Sequence, residues 1–230
     1  LQMRQQAGAG VDFDDGATLL FQRTRDVFAH QVDAGDVEAD HARGQRLLIN
    51  RTLQADVFES NARMILTEGL AYDKCQVGVV TDMEGIDSLG LAEFYIRDAD
   101  AMANVIRTQV DVILPDGVAV LNAENAQVAE LAALCDGKVI FYAVDPDNEV
   151  VARHRAAGER SVYVRAGAIV IADGALETAL LPLSALKTST AKYPASLLAA
   201  VAAAWALDVT PELLAAGLRA FDAAPKQPAH

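Results

Sequence analysis

Two short apolar runs, Val57-Phe58 and Val77-Gly78-Val79-Val80, each end in residues that can do chemistry: Glu59 after the first, Thr81 and Asp82 after the second. The segment between them has helical spacing, so the stretch reads as strand, crossover, strand. In an open parallel sheet, polar residues just past the carboxyl ends of the strands face the ligand crevice. That is where catalytic and ligand-binding groups stand. For Glu59 the structural alternative is a strand-end carboxylate satisfied by the N-terminus of the next helix. A second gathering of polar residues, His30, Asp33, Asp36, Glu38, Asp40 and His41, contains metal-binding side chains. Its spacing matches no ligand pattern such as paired histidines on one helix face, and a solvated loop is expected there.

The elements that must position these residues need a core, and the composition supplies one. The 230 residues are 52% hydrophobic with a mean hydropathy of +0.18, enough for a single α/β domain. A net charge of -13 and a pI near 4.6 argue against nucleic acid as a partner, since phosphate backbones are bound by clustered Lys and Arg. Solubility, or a basic ligand, accounts for such acidity. Cys75 and Cys135 stand far apart without metal-type spacing and read as free thiols in a reducing compartment. No apolar stretch is as long as a membrane span, the Ala-rich run from Leu197 to Leu207 included. Leu1 to Gln6 lack an apolar signal core, so the expected location is the cytoplasm. The chain opens on Leu1 rather than Met, which leaves open that it is a piece of something longer.

Along the chain, Val11-Asp12-Phe13 and Thr18-Leu19-Leu20-Phe21 flank Asp14-Asp15-Gly16 and predict a hairpin. Arg43 to Leu53 reads as a helix, Val57-Phe58 as a buried strand, and Asn61 to Ala71 as a helix capped by Asn61. Gln76 to Thr81 is the next strand and 81–90 a loop. A long helix is expected from Asp98 to Leu114, stopped by Pro115-Asp116-Gly117. The strand Val118 to Leu121, the helix Asn125 to Leu134 and the strand Val139 to Tyr142 follow. Ser161 to Arg165 and Ala168 to Ile171 flank Ala166-Gly167 as a hairpin antiparallel to the main sheet. Two helices close the chain, Ala195 to Leu207 and Thr210 to Phe221, the second with Thr210 as cap and Pro211 at its first position. The expected fold is therefore α/β, a mostly parallel open sheet flanked by helices with antiparallel hairpin additions. It forms one domain over 1–222, with an N-terminal hairpin at 1–23, a hairpin insertion at 150–172, and a tail or linker stub at 223–230.

Several separated segments, in order, carry a family resemblance: Ala55 to Leu70, Asp73 to Gly90, Pro115 to Asn125, His154-Arg155-Ala156-Ala157-Gly158, and Leu198 to Leu207. From about Thr24 to Phe221 the chain resembles the Mur-ligase-like, ATP-binding region of cyanophycin synthetases, enzymes that build an aspartate-backbone polymer with arginine branches. The resemblance implies a fold like the Mur ligase central domain, and a ligase that activates a carboxylate as an acyl phosphate with ATP and Mg²⁺ before an amine attacks. It assigns Glu59 as a metal ligand and Glu59, Arg63 and Asp87 as catalytic residues. Thr81 and Asn122 would be nucleotide-binding, and His154 and Arg155 substrate-binding. Asn122 reads equally as a turn former and His154 as a surface residue. The implied partners are an ATP-grasp domain, an arginine-rich polymer and further copies of the chain.

The departures from the family fall on that same chemistry. No glycine-rich loop ends in Gly-Lys-Thr or Gly-Lys-Ser; Gly137-Lys138 is followed by Val139, and Ala7-Gly8-Ala9-Gly10 by Val11. The family's Asp-His-Leu-Gly reads Asp87-Ser88-Leu89-Gly90, a lysine expected on the following helix falls at Ile106, and Arg-Gly-Gly reads Arg63-Met64-Ile65. The expectation is P-loop-type topology without the P-loop: a degenerate, non-catalytic domain for scaffolding, oligomerisation or polymer holding, needing no cofactor. The alternative is a fragment of an active ATP-dependent acid–amino-acid ligase whose P-loop lies outside this chain, with ATP and Mg²⁺ as cofactors. A third option is an acidic module that binds an arginine-rich polymer.

Overall fold

The computed structural model describes residues 18–23, 29–31, 55–87 and 89–223. The strands are β1 (Thr18–Arg23), β2 (Ala29–Gln31), β3 (Ala55–Ser60), β4 (Cys75–Val80), β5 (Ile113–Asn122), β6 (Lys138–Ala143), β7 (Arg160–Arg165), β8 (Ala168–Asp173) and β9 (Leu176–Pro182). They form one sheet in the order β2-β3-β1-β4-β5-β6-β7-β8-β9. From β4 to β7 every neighbour is parallel. β1 lies antiparallel between β3 and β4, so β3 runs in the same direction as β4.

Strands buried on both faces read as continuous apolar runs. In β4, Val77 and Val79 face one core and Cys75 and Val80 the other. On the first face lie α1 (Ala62–Glu68), α2 (Ala99–Ile106), α3 (Thr108–Asp111), α4 (Ala126–Glu130) and α5 (Glu149–Ala156). After the short helical turn α6 (Thr188–Ala191), the second face is covered by α7 (Pro194–Ala206) and α8 (Pro211–Ala223). α7 is rich in Ala and Leu, which favour helix, and Pro194 opens it where no N–H is missed. Cys75 is core material: burial, then the neighbouring Cys135, push its thiol up to about 12 against the opposing pull of Lys74, and both cysteines are free thiols.

The expected parallel core and both closing helices are present. Asn61 caps α1 by accepting from the Met64 N–H at 3.0 Å, and Gly69, with φ +76°, ends it where a side chain would be strained. The long helix expected to Leu114 is shorter. It breaks into α2 and α3, and Ile113 already belongs to β5, paired with Cys75. The ring of Pro115 disfavours helical backbone at Leu114, so the apolar residues before it extend instead.

The expected hairpin across Ala166-Gly167 forms as β7 and β8, but its relation to the main sheet and the start of the 150–172 insertion are corrected. Only β8 is antiparallel; β7 pairs parallel with β6 because α5 carries the chain across. The signals for α5 stand in the sequence: Asn148 accepts from the Val150 and Val151 N–H groups at 3.0 and 3.2 Å, Glu149 lies in the first turn, and Arg153, His154 and Arg155 in the last. β9, which extends the sheet beyond β8, has no counterpart in the expected elements. Of the N-terminal hairpin, Thr18–Phe21 lies in β1, whose described partners are β3 and β4, and the other limb lies outside the described residues. His30 falls in the short strand β2 rather than in a loop. The expected helix from Arg43 to Leu53, the rest of the acidic segment with His41, Ser88 and the tail from 224 also lie outside the described residues.

Candidate functional site

The carboxyl ends of β4, β5 and β6 meet at one edge of the sheet, as a parallel arrangement requires. There Thr81 and Asp82 follow β4, Asn122 ends β5, and Val144 and Asp145 follow β6. The Asn122 side-chain amide donates to the Thr81 carbonyl at 2.8 Å, and its oxygen accepts from the Glu124 N–H at 3.0 Å. Glu124 Oε1 accepts from the Val144 and Asp145 N–H groups at 3.1 and 3.2 Å. Asp82 accepts from the Thr81 hydroxyl at 2.9 Å and from the Glu84 N–H at 3.0 Å. The Asn148 amide reaches the Ala123 carbonyl at 3.2 Å, tying the start of α5 to the end of β5. Asn122, Glu124 and Asn148 thus bridge backbone groups at the ends of different strands, while Asp82 orders its own loop.

An open groove of about 470 Å³ lies over these ties. Asp82, Glu84, Asn122, Glu124, Asn125 and Gln127 line it, with neither Lys nor Arg among the described lining residues. Its described lining carries three carboxylates, Asp82, Glu84 and Glu124. Tyr142 is buried on the adjoining strand, and its hydroxyl is pushed far above the usual range, by burial first and then by the carboxylates of Asp82 and Glu124. Such a groove suits a cationic or neutral polar group and opposes a polyphosphate.

The other expected residues are spread around this groove rather than gathered in it. Glu59 is half-buried on β3, one strand removed from β4, where it pairs in register with Leu19 of β1. Arg63, in the first turn of α1, donates to the Leu89 carbonyl at 3.0 Å, pairs with Glu93, and lies 5.5 Å over the Phe94 ring. It pins the loop after β4 onto α1. Asp87 is exposed on that loop. Thr81 and Asn122 do come together, through the bond between their amide and carbonyl groups.

His154 and Arg155 lie at the opposite edge, near the amino ends of the strands. His154 Nε2 is 3.0 Å from the Val139 carbonyl at the start of β6, and its ring meets Phe141 edge-on at 4.9 Å. Arg155 pairs with Glu177 of β9 and stacks 4.9 Å over Tyr163. Glu124 was the residue that sequence reading left out of the site. Its signal was the turn Asn122-Ala123-Glu124-Asn125 directly after a buried strand. Among the described residues no three His, Cys, Asp or Glu side chains gather as a metal site would require. No described helix is long and apolar enough to cross a membrane.

Over 201 residues, 85% of its length, the chain is 34% identical to a cyanophycin synthetase of Crocosphaera subtropica, and over 220 residues, 92% of its length, 31% identical to one of Synechocystis. The chain is homologous to a segment of cyanophycin synthetase. That segment is 22% of the Crocosphaera protein and 24% of the Synechocystis protein, so the chain spans less than a quarter of either relative. No family model matches the chain. Among solved structures, the ligase that joins UDP-N-acetylmuramoylalanyl-D-glutamyl-2,6-diaminopimelate to D-alanyl-D-alanine in Acinetobacter baumannii is 13% identical. It aligns over 90% of this chain and 47% of its own with a TM-score of 0.46, a level at which nothing of its activity transfers. In this chain Ile106, where the resemblance leads one to expect a lysine, is fully buried on the core side of α2, and Ile65 packs against the same core.

Proposed function

We propose that the described domain is a degenerate, Mur-ligase-like relative of the cyanophycin synthetase segment that does no ligase chemistry itself and is kept as a scaffold. The observation that carries this reading is the carboxyl edge: Asn122 and Glu124 hold backbone groups at the ends of neighbouring strands and Asp82 holds its own loop, under a groove whose described lining is acidic and includes no cation. A nucleoside triphosphate needs donors and positive charge around its phosphates. The described residues of the groove do not fit one, and no step is assigned to ATP or Mg²⁺. The acidic lining favours polymer holding, with guanidinium groups as its ligands, as the binding form of the same role. Calorimetry with ATP and Mg²⁺ tests the proposal. No heat of binding is expected, and micromolar affinity lost in Glu59→Gln would overturn it.

One observation favours a second reading. The relatives are more than four times longer than the aligned segment, and Glu59, Arg63, Thr81, Asp87 and Asn122 keep the residue types the resemblance assigns to a ligase. On that reading the chain is part of an active ATP-dependent synthetase whose phosphate-binding loop lies elsewhere. Sequencing the parent reading frame upstream for a glycine-rich Gly-Lys-Thr or Gly-Lys-Ser separates the two.

A further inference from the structure

A cluster of charges stands apart from the groove, on the strands β7 to β9. Tyr163 and Arg165 lie on β7, Glu177 lies on β9, and Arg155 reaches them from the last turn of α5. In register, Glu177 stands opposite Ala172 of β8 and Tyr163 opposite Val170. Val170 and Ala172 share a core with Tyr163, and they are small enough for the longer side chains of β7 and β9 to meet over β8.

Both guanidinium groups close on one carboxylate oxygen, Glu177 Oε1. Both also stack on the buried Tyr163 ring, 4.9 and 5.0 Å from its centre, and the Arg155 Nε–H donates to the Gly174 carbonyl at 3.4 Å. Stacking and that bond fix the two cations in place before any ligand arrives. Two guanidinium groups against one carboxylate leave the cluster with positive charge in excess, on a chain whose net charge is -13. Donors are in excess as well. A guanidinium carries a fork of N–H groups that fits two oxygens at once. Arg165 gives one donor to Glu177, and its others have no partner among the described residues. Its side chain is 39% exposed, so that fork opens to solvent. Glu177, on the last strand of the described sheet, has solvent to turn into.

We infer that Arg155 and Arg165 form a binding site for a phosphate-class oxyanion, in which Glu177 is the resident stand-in that the ligand displaces. With that carboxylate turned outward, two guanidinium groups face the ligand. A dianion with several oxygens then matches both their charge and their forks, which a single carboxylate does not. The site accepts the kind of charge that the acidic groove opposes. It stands whether or not the groove takes a ligand.

Titration of the whole chain with inorganic phosphate, at an ionic strength held constant with sodium chloride, tests the inference through the arginine Nε–H resonances. Those of Arg155 and Arg165 should move and saturate in the millimolar range while those of Arg63 and Arg107 stay in place. Glu177→Gln removes the stand-in and should bind phosphate about fivefold more tightly, the scale of a partly exposed ion pair. Arg165→Gln should lose the saturable response, with backbone resonances confirming that each variant is folded. Phenyl phosphate, titrated alongside, separates the sources: tighter binding than the free ion assigns the site to a phosphoryl group on a larger molecule, and weaker binding to phosphate itself. Arg155 and Arg165 resonances that do not move, or that move no more than every other arginine, overturn the inference. A folded Glu177→Gln that binds phosphate no more tightly than the parent chain does so too.

Discussion

The two ends of the same parallel strands are held by different means. At the carboxyl ends, amide and carboxylate side chains bridge backbone groups beneath an open groove. At the amino ends the strands touch through bare backbone. A Cβ on Gly117 would come 2.6 Å from the Gln76 carbonyl oxygen, and one on Gly137 would press into the Gly117 carbonyl. Beyond β6, Arg155 from that end and Arg165 from the carboxyl end of β7 close on Glu177 around the Tyr163 ring. The polar residues with the most catalytic look thus stand where the backbone most needs partners. The edge with room is the one on which a ligand could act, and the edge without it sets the spacing of the sheet.

The sharpest test of that contrast is Gly137→Ala. The neighbours that its methyl would meet are main-chain atoms, so the strands must move apart. A loss of about 3 kcal/mol is expected from such overpacking, measured by urea denaturation. A loss below about 0.5 kcal/mol would show that the amino edge yields as readily as the carboxyl edge. Asn122→Ala comes next. It removes a donor to Thr81 and an acceptor from Glu124 without a clash, and about 1–2 kcal/mol is expected. Asn122→Asp keeps the acceptor for the Glu124 N–H and should fall between Asn122→Ala and the parent chain. Full stability in Asn122→Ala would free that side chain for a ligand.

Much of this contrast was legible in the sequence and some was not. The buried parallel strands announced themselves as apolar runs, and the capping asparagines Asn61 and Asn125 marked helix starts that the structure keeps. α5 was missed because its apolar positions, Val150 and Val151, give almost no periodicity, and only its cap and its terminal charges identify it. β9 was missed because Leu176 to Pro182 alternates poorly and earns its place by pairing with β8. The separation of His154 and Arg155 from Thr81 and Asn122 followed from the missing helix. With α5 in place as a crossover, its last turn must return to the amino edge. That Asn122 bonds to Thr81 across 41 positions could not be read from either residue alone.

The smallest expected effect belongs to the arginine clasp. Burial acts upward on the Glu177 carboxyl, but the polar groups of Tyr163, Arg165 and Arg155 gathered on it outweigh burial and hold it below its ordinary value of 4.5. A carboxyl depressed in the folded state binds protons more readily when unfolded. Its contribution is therefore complete above the ordinary value and is lost as pH falls through the folded one. At neutral pH the parent chain should exceed Glu177→Gln by a modest margin, since the pair is partly exposed and solvent screens it. That margin should close as urea midpoints are followed from neutral pH into the acid range. A margin that stays constant with pH would mean that Glu177 holds Arg155 and Arg165 by shape and hydrogen bonding, as Asn122 holds its strand ends, and the charge of the clasp would carry no stability.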